Sequence, residues 1–274
     1  MAIGDYQRFL DERDIEMDII EVDDIVYRID DKGYAYAKYA DKNVEKVILP
    51  GKVDGHIVRG IDSDAFANCE KLKHLEIEVD DAITDPLDDH DIYNSYEIGS
   101  GAFYRCRALE TVEMPYDGIC SIWQCAFSGC ESLESLALPD GVFVGSYAFS
   151  GCKNLKTIGI KLTVIMEGTF MECYSLTDFP VSPRATEIDE DAFYHCTSLR
   201  NIVIPKTVTL IEPQAFRGAE LETVVFEDTS GWKGKGTFIN RSGSIDVSDP
   251  ARNAKMLSGM DFDDGFIMFK KIKE

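Results

Sequence analysis

The side chains best suited to chemistry in this chain are its cysteines, of which there are eight in 274 residues. Six of them share one position in a repeated pattern: Cys69, Cys106, Cys130, Cys152, Cys173 and Cys196. Stacked repeats would hold them at about the 4.8 Å spacing of neighbouring strands, which the Cα separation of a disulfide allows. Equivalent inward positions are better explained as small buried apolar thiols, and Ala219 fills the same position in a seventh repeat. We therefore expect free, buried cysteines.

The two remaining cysteines, Cys120 and Cys125, are the candidate nucleophiles for a thiol-dependent enzyme. The spacing Cys120-x4-Cys125-x4-Cys130 lacks the two-residue gap of zinc knuckles, so it does not indicate a metal site. No histidine occurs in His-Glu-x-x-His spacing, and His195, which lies next to Cys196, is expected to face solvent. The sequence therefore favours a protein without catalysis, metal or cofactor.

Acidic residues outnumber basic ones by 50 to 28, which gives a net charge of −22. Such a surface repels nucleic acid and anionic lipid and favours basic partners. Part of the charge lies in an acidic insertion at 78–97, with Asp80, Asp81, Asp85, Asp88, Asp89 and Asp91. A solvated charge run is the commoner explanation of this loop. Weak calcium binding is the alternative, although the Asp-x-Asp-x-Asp-Gly order of an EF-hand is absent.

The elements that position these residues are repeats of about 23 residues. Each contains an aromatic residue three positions before the cysteine, and these are Phe66, Phe103, Phe127, Phe149, Phe170, Phe193 and Phe216. A leucine follows three residues after each cysteine, and two further apolar residues then alternate with polar ones. This period of two is typical of a half-buried strand, and the Ala-Phe-x-x-Cys stretch fits a short helical or 3₁₀ turn. One repeat cannot bury its apolar face alone, so the pattern predicts a solenoid.

The motif Ile-Gly-x-x-Ala-Phe-x-x-Cys-x-x-Leu, best seen from Ile98 to Pro115, resembles the BspA-type leucine-rich repeat family. The resemblance implies a right-handed coil of short parallel strands and short helical or 3₁₀ turns, capped at both ends. It also implies an adhesin-like bacterial surface protein that binds host or bacterial macromolecules, either protein or glycan. This step from fold to function is an analogy.

The sequence divides into three predicted parts. Residues 1–43 form an N-terminal cap with a short helix at 5–18 and a hairpin around Asp31–Gly33. Residues 44–229 hold the leucine-rich repeats, and residues 230–274 form a C-terminal cap. That cap includes Trp232, Phe238, Ile245 and a helix from Pro250 to Leu257.

Side chains that alternate with the core positions of the strands must face outward in columns. The predicted binding residues of these columns are His74, Glu76, Thr111, Glu113, Thr157, Asp178 and Asn201. Trp123 lies at a turn position where other repeats have glycine, which makes it either an interface anchor or a residue packed on a neighbouring turn. Tyr147 lies near the same edge.

The compartment stays open at this point. No run of about 20 apolar residues is present, so no transmembrane segment is expected. Residues 1–11 lack the basic and apolar regions of a signal peptide. We expect either a surface protein whose leader has been removed, as the resemblance implies, or a cytoplasmic interaction scaffold if Met1 is the native start.

Overall fold

The computed structural model describes residues 18–80, 96–114, 119–138, 140–236, 242–244, 246–259 and 267–271. Most of its regular structure is short strands, with one helix in this part of the chain. In chain order the strands are β1 Ile19–Val22, β2 Ile25–Ile29, β3 Ala35–Ala40, β4 Lys46–Leu49, β5 Lys52–Val53, β6 His56–Ile61, β7 His74–Ile77, β8 Tyr96–Ile98, β9 Thr111–Glu113, β10 Ile119–Ile122, β11 Ser135–Ala137, β12 Phe143–Val144, β13 Thr157–Gly159, β14 Val164–Ile165, β15 Glu187–Ile188, β16 Asn201–Ile204, β17 Leu210–Ile211, β18 Thr223–Phe226, β19 Trp232–Gly236, β20 Ser242–Ser244 and β21 Ile267–Lys271. The helix, α1, spans Pro250–Ser258.

Most repeats contribute two strands to two different sides of the molecule. The first strand precedes the Ala-Phe turn, and these strands pair in the orders β6-β8-β10-β12 and β14-β15-β17. The terminal strands extend the two sheets, as β1-β2-β3 beside β6 and as β21-β19-β20 beside β17. The second strand follows the cysteine and leucine, and these strands pair in the orders β4-β7-β9, β11-β13 and β16-β18. Strands of successive repeats pair in parallel, as in β7 with β9 and β16 with β18. We call the two outer surfaces the first-strand face and the second-strand face.

The predicted helical or 3₁₀ turn between the two strands is wrong. The Ala-Phe-x-x-Cys stretch is a series of tight turns, in which Ala67 N–H donates to Asp64 O and Cys69 N–H donates to Phe66 O. Each stretch has a positive φ just before the alanine and again just before the cysteine, as at Asp64 (58°) and Asn68 (61°). A right-handed helix needs negative φ throughout, so the chain cannot continue as one.

The positive-φ residues turn their N–H groups towards the next repeat. Asn68 N–H donates to Tyr104 O at 2.7 Å, and Arg105 N–H donates to Ser128 O at 2.8 Å. Between these turns, Phe103 N–H donates to Ala126 O at 2.7 Å. The turns are thus joined from repeat to repeat by backbone hydrogen bonds, as strands are, and their buried amides are satisfied.

The inward placement of the aromatic and thiol side chains is confirmed. Every one of the seven repeat phenylalanines has 0% exposure, and so has each of the six repeat cysteines. Successive rings stack with centroids 5.1–5.8 Å apart and with interplanar angles of 4–17°. Together with the repeat leucines they belong to one core cluster that runs through the described repeats.

The N-terminal end of the first-strand face is a small antiparallel sheet. β2 and β3 pair around the predicted turn near Asp31–Gly33, and β1 pairs with the other edge of β2. β3 then pairs in parallel with β6, which joins this hairpin to the repeats. The predicted helix at 5–18 lies outside the described residues, except for its last residue.

At the other end, β21 pairs antiparallel with β17, which is the first strand of the seventh repeat, and also with β19. Helix α1 matches the predicted helix closely and begins with Asp249, whose carboxylate accepts from Ala251 N–H and Arg252 N–H. The amide of Asn253 is buried and donates to Val224 O and Val247 O. Trp232 is buried against Phe226, whereas the predicted Phe238 and Ile245 lie outside the described residues.

The predicted strand at Asp178–Pro180 is wrong. This segment carries no strand, and it separates the β11-β13 pair from the β16-β18 pair. Thr177 N–H still donates to Lys156 O, but Pro180 has no N–H to continue the ladder. Asp178 is exposed as expected, on irregular backbone and not in a column on a strand.

The stacked core makes a direct prediction about Phe149, which lies between the rings of Phe127 and Phe170. We expect Phe149→Ala to lower the free energy of unfolding by about 3–5 kcal/mol, because it leaves a cavity in a fully buried stack. Chemical denaturation monitored by circular dichroism measures this change. The control is Thr157→Ala on the exposed surface, which should change stability by less than about 0.5 kcal/mol. A loss below about 1 kcal/mol for Phe149→Ala would contradict an inward ring.

Candidate functional site

The first predicted column, which contains His74, Thr111, Thr157 and Asn201, lies on the second-strand face, and its side chains are largely exposed. Its polar side chains bond to one another across neighbouring strands. His74 Nδ1 lies 2.8 Å from Thr111 Oγ1, and Thr223 Oγ1 donates to Asn201 Oδ1 at 2.6 Å. These pairs hold short polar groups in a fixed order and keep both donors and acceptors at the surface. The role of His74, Thr111, Thr157 and Asn201 in binding stays a prediction.

The second column, which contains Glu76, Glu113, Val203 and Val225, changes from acidic to apolar along the repeats. At the N-terminal end Glu76 pairs with Lys46 at 3.2 Å, and Glu113 is exposed. At the C-terminal end Val203 and Val225 lie opposite each other in register and are 48% and 42% exposed. Two adjacent exposed valines on paired strands form an apolar spot with polar neighbours, which suits contact with another chain.

Trp123 lies on the first-strand face directly after β10. The indole is 41% exposed, donates its N–H to Glu97 Oε2 at 3.3 Å, and packs against Phe143 with ring centroids 5.4 Å apart. Trp123 therefore packs on a neighbouring repeat and also exposes much of its ring. Its role as an interface anchor stays a prediction.

Phe143, which the sequence reasoning missed, is 42% exposed beside Trp123. The signal was present in Val142-Phe143-Val144, where the outer two residues are buried and the middle residue must face outward. Trp123 and Phe143 form an exposed aromatic pair, and such pairs are enriched at interfaces.

Tyr147 makes more contacts within the fold than expected. Its hydroxyl donates to Glu167 Oε1 at 2.5 Å, and this hydrogen bond raises the pKa of Tyr147 to about 12. Its ring also covers Gly168, where an added Cβ would lie 2.2 Å from Tyr147 Cε1. Tyr147 is partly exposed, and its place in a binding surface stays a prediction.

Carboxylates gather on the first-strand side of the later repeats. Partial burial raises the pKa of Asp189, and the negative charges of Glu187, Glu212 and Glu167 raise it further. The pKa of Asp191 is raised for the same two reasons. Neighbouring carboxylates are therefore close enough here to disfavour the ionised form of Asp189 and Asp191. Together they give this part of the surface a negative potential.

The repeat cysteines form a ladder of thiol hydrogen bonds. Five of the six thiols, from Cys106 to Cys196, donate to the phenylalanine carbonyl of the preceding repeat, for example Cys152 Sγ to Phe127 O at 3.3 Å and Cys196 Sγ to Phe170 O at 3.1 Å. Burial raises the pKa of Cys130, Cys152, Cys173 and Cys196. The cysteines whose side chains are described are free, as predicted, and burial keeps these four thiols protonated inside the core.

Among the described thiols, the pKa of Cys69 alone is lowered, by its hydrogen bond with Cys106, and this side chain is fully buried. His195 stacks on Tyr194 at 4.2 Å, while the neighbouring Cys196 thiol points to a backbone carbonyl, so the two do not form a dyad. His195 is partly exposed, as expected. Cys125 is partly exposed, and burial together with Asp64 raises its pKa, which is the opposite of what a nucleophile needs. The side chain of Cys120 lies outside the described residues.

The calcium hypothesis concerns the acidic insertion, and residues 81–95 lie outside the described part of the chain. Asp80, at its start, pairs with Lys52 at 2.9 Å. Within the described ranges, no group of three or more His, Cys, Asp or Glu side chains could hold a metal ion. A helix long and apolar enough to cross a bilayer is likewise absent from those ranges.

The repeats match the BspA type leucine-rich repeat region in six copies, over residues 32–85, 96–222 and 163–250. The chain belongs to this family. Its members are repeat proteins of mostly strands and little helix, and they are in general non-enzymatic interaction scaffolds. No curated protein matches.

Solved structures similar to this chain are bacterial leucine-rich repeat proteins. One from Bacteroides ovatus is 22% identical with a TM-score of 0.53; it covers 74% of this chain, which spans 57% of its length. The T. pallidum leucine rich repeat protein is 19% identical, with coverages of 76% and 86% and a TM-score of 0.46. A leucine rich cell surface protein from Faecalibacterium prausnitzii is 16% identical, with coverages of 79% and 97% and a TM-score of 0.26. The first likeness supports the fold.

The thiol ladder predicts a sharp difference in alkylation. At pH 8 and 25 °C, Cys152 of the folded protein should resist iodoacetamide, because its thiol is buried and burial raises its pKa to about 12. Cys125 should be labelled first among the cysteines whose side chains are described, and all should react after unfolding in guanidinium. Peptide mass spectrometry measures each site. Rapid native labelling of Cys152 would contradict the ladder.

Proposed function

We propose that this protein is a non-enzymatic protein-interaction scaffold that binds its partner on the second-strand face. The observation that carries the proposal is the ordered outward surface of these strands, where short polar side chains bond to one another and lead to the exposed Val203–Val225 pair. Short side chains let another chain approach the sheet closely. The family as a whole supports such a role.

The proposed surface suits a partner with an apolar anchor and basic neighbours. Val203 and Val225 provide the apolar contact, and a charge of −22 over the whole chain would steer a cationic protein towards it. The acidic column residues Glu76 and Glu113, at the far end of the same face, would prefer Lys or Arg. Thr157 lies between these ends, and Asn201 is on the same strand as Val203.

We propose in addition that the repeats wind as a right-handed solenoid with caps at 1–43 and 230–274. Parallel pairing of successive repeats supports this, because connections between parallel strands are right-handed in nearly all proteins. A solenoid would extend the second-strand face into one continuous binding surface.

An adhesin-like location on the bacterial surface is the preferred proposal for the compartment, and a cytoplasmic scaffold is the alternative. Buried free thiols suit either place, since the core shields them from oxidants. Protease shaving of intact cells of the native organism, followed by immunoblotting, distinguishes the two: loss of the protein indicates the surface.

The binding proposal is tested with the whole chain immobilised and probed by surface plasmon resonance against purified extracellular matrix, serum and bacterial surface proteins. We expect at least one partner, and we expect Val203→Glu with Val225→Glu to weaken its binding at least tenfold, about 1.4 kcal/mol. Both valines are exposed, so circular dichroism should show an unchanged fold. The matched control is Thr163→Glu with Thr186→Glu, two exposed threonines near the first strands. Equal loss in both variants, or full binding by the valine variant, would contradict the proposed face.

A further inference from the structure

The first-strand face contains a trough between two aromatic walls. The strand register places Tyr36 of β3 beside Gly60 of β6, and Gly60 beside Glu97 of β8. Ser121 and Phe143 continue this row on β10 and β12. With about 4.8 Å between neighbouring strands, the row runs roughly 19 Å from Tyr36 to Phe143.

Two glycines let neighbouring segments of backbone approach closely at the trough. An added Cβ at Gly60 would lie 2.5 Å from Glu97 O, and one at Gly99 would lie 2.6 Å from Ser63 N. Both contacts are with backbone, which cannot move aside cheaply. The close approach of these segments therefore requires glycine. Gly99 lines a recess of about 380 Å³.

The two walls are built differently. On one side the Arg28 guanidinium lies over the Tyr36 ring, 4.4 Å from its centroid. On the other side Trp123 packs against Phe143 and lines the recess with an indole that stays 41% exposed. An exposed indole at the rim of a recess offers an apolar surface for the apolar face of a ligand ring.

The polar groups of the trough largely neutralise one another. Asp62 accepts from Arg28 Nε and Nη2, both at 3.0 Å, and Lys38 Nζ lies 3.3 Å from the same carboxylate. Glu97 accepts the indole N–H of Trp123 at 3.3 Å. Ser63 and Ser100 add exposed residues with hydroxyl groups to the lining. The recess thus presents donors and acceptors together with little unbalanced charge.

We infer that this trough binds a neutral carbohydrate, with one or two sugar rings lying against Trp123. A sugar ring has an apolar face for the indole and hydroxyl groups that both donate and accept, which matches Asp62, Glu97 and the Arg28 guanidinium. An anionic glycan would be repelled by the chain's charge of −22. A cationic ligand would compete with Arg28 and Lys38 for Asp62. The volume lies within the range of small-molecule pockets.

This site differs from the proposed protein-binding face, because it lies on the first strands and shares no residue with the Val203–Val225 pair. The two can therefore fail separately. A valine variant that loses its protein partner should still bind sugar, and a Trp123 variant that loses sugar should still bind protein.

The chain supplies its own reporter for sugar binding. It has two tryptophans, and Trp232 is only 2% exposed, so acrylamide should quench mainly Trp123. We would titrate the whole protein with maltohexaose, cellohexaose, xylohexaose, mannohexaose and chitohexaose and measure acrylamide quenching at each concentration. At least one of these neutral sugars should lower the quenching constant at least twofold. Shielding by none of them overturns the inference.

Isothermal titration calorimetry with the best sugar then tests the site. Trp123→Ala and Tyr36→Ala should each weaken binding at least tenfold, while the matched control Val225→Ala, an exposed apolar residue on the other face, should change it less than twofold. Thermal melts of each variant identify losses that come from unfolding. Sugar binding that survives Trp123→Ala overturns the inference, and so does shielding of Trp123 by a hexalysine peptide in place of any sugar.

Discussion

The structure depends on one contact repeated along the chain: a buried phenylalanine whose ring stacks on the next ring and whose amide bonds to the next repeat. Phe103 N–H donates to Ala126 O at 2.7 Å, and the Phe103 and Phe127 rings lie 5.1 Å apart. Stacking and hydrogen bonding therefore fix the same spacing between repeats. The thiol of Cys130, which donates to Phe103 O, adds a further link at that level. Each repeat thus fixes the position of the next one. Interactions between neighbouring repeats therefore dominate the stability of such proteins.

Because the core is so regular, the differences between repeats lie at the surface. The same first-strand position is Gly60 in one repeat, Glu97 in the next and Phe143 two strands further on. Glu97 and Phe143 leave the stacked phenylalanines unchanged, whereas Gly60 is required by the close approach of Glu97 O. This arrangement lets one side of the molecule carry an aromatic trough and the other carry columns of short polar side chains.

Much of the core could be predicted from the sequence, because period and residue type alone require Phe149 and Cys152 to point inward. The turn between the strands could not. Its positive φ values fall on residues such as Arg105 and Tyr147, which do not favour that conformation locally, and the hydrogen bonds to the next repeat impose it. The break at Pro180 was missed because the apolar spacing around Phe179 imitates a strand.

The surface was predictable in part. The outward direction of Thr157 and Asn201 follows from alternation along a strand, and the structure agrees. The trough could not be predicted from the sequence, because it depends on the register of β3 against β6, two strands from different parts of the chain. The sequence pattern singles out Trp123, but only the paired strands place Tyr36 and Gly60 in the same row.

The most direct test of this account is native-state hydrogen exchange at the amides of Phe103, Phe127, Phe149, Phe170 and Phe193, measured by NMR. If these amides bond from repeat to repeat beneath stacked rings, they should be among the slowest to exchange. When the exchange rate reports the equilibrium between closed and open amides, the free energies of opening should be similar in neighbouring repeats. Exchange of these five amides at the rate of an unstructured peptide would contradict the stacked core, and with it the placement of both proposed binding surfaces.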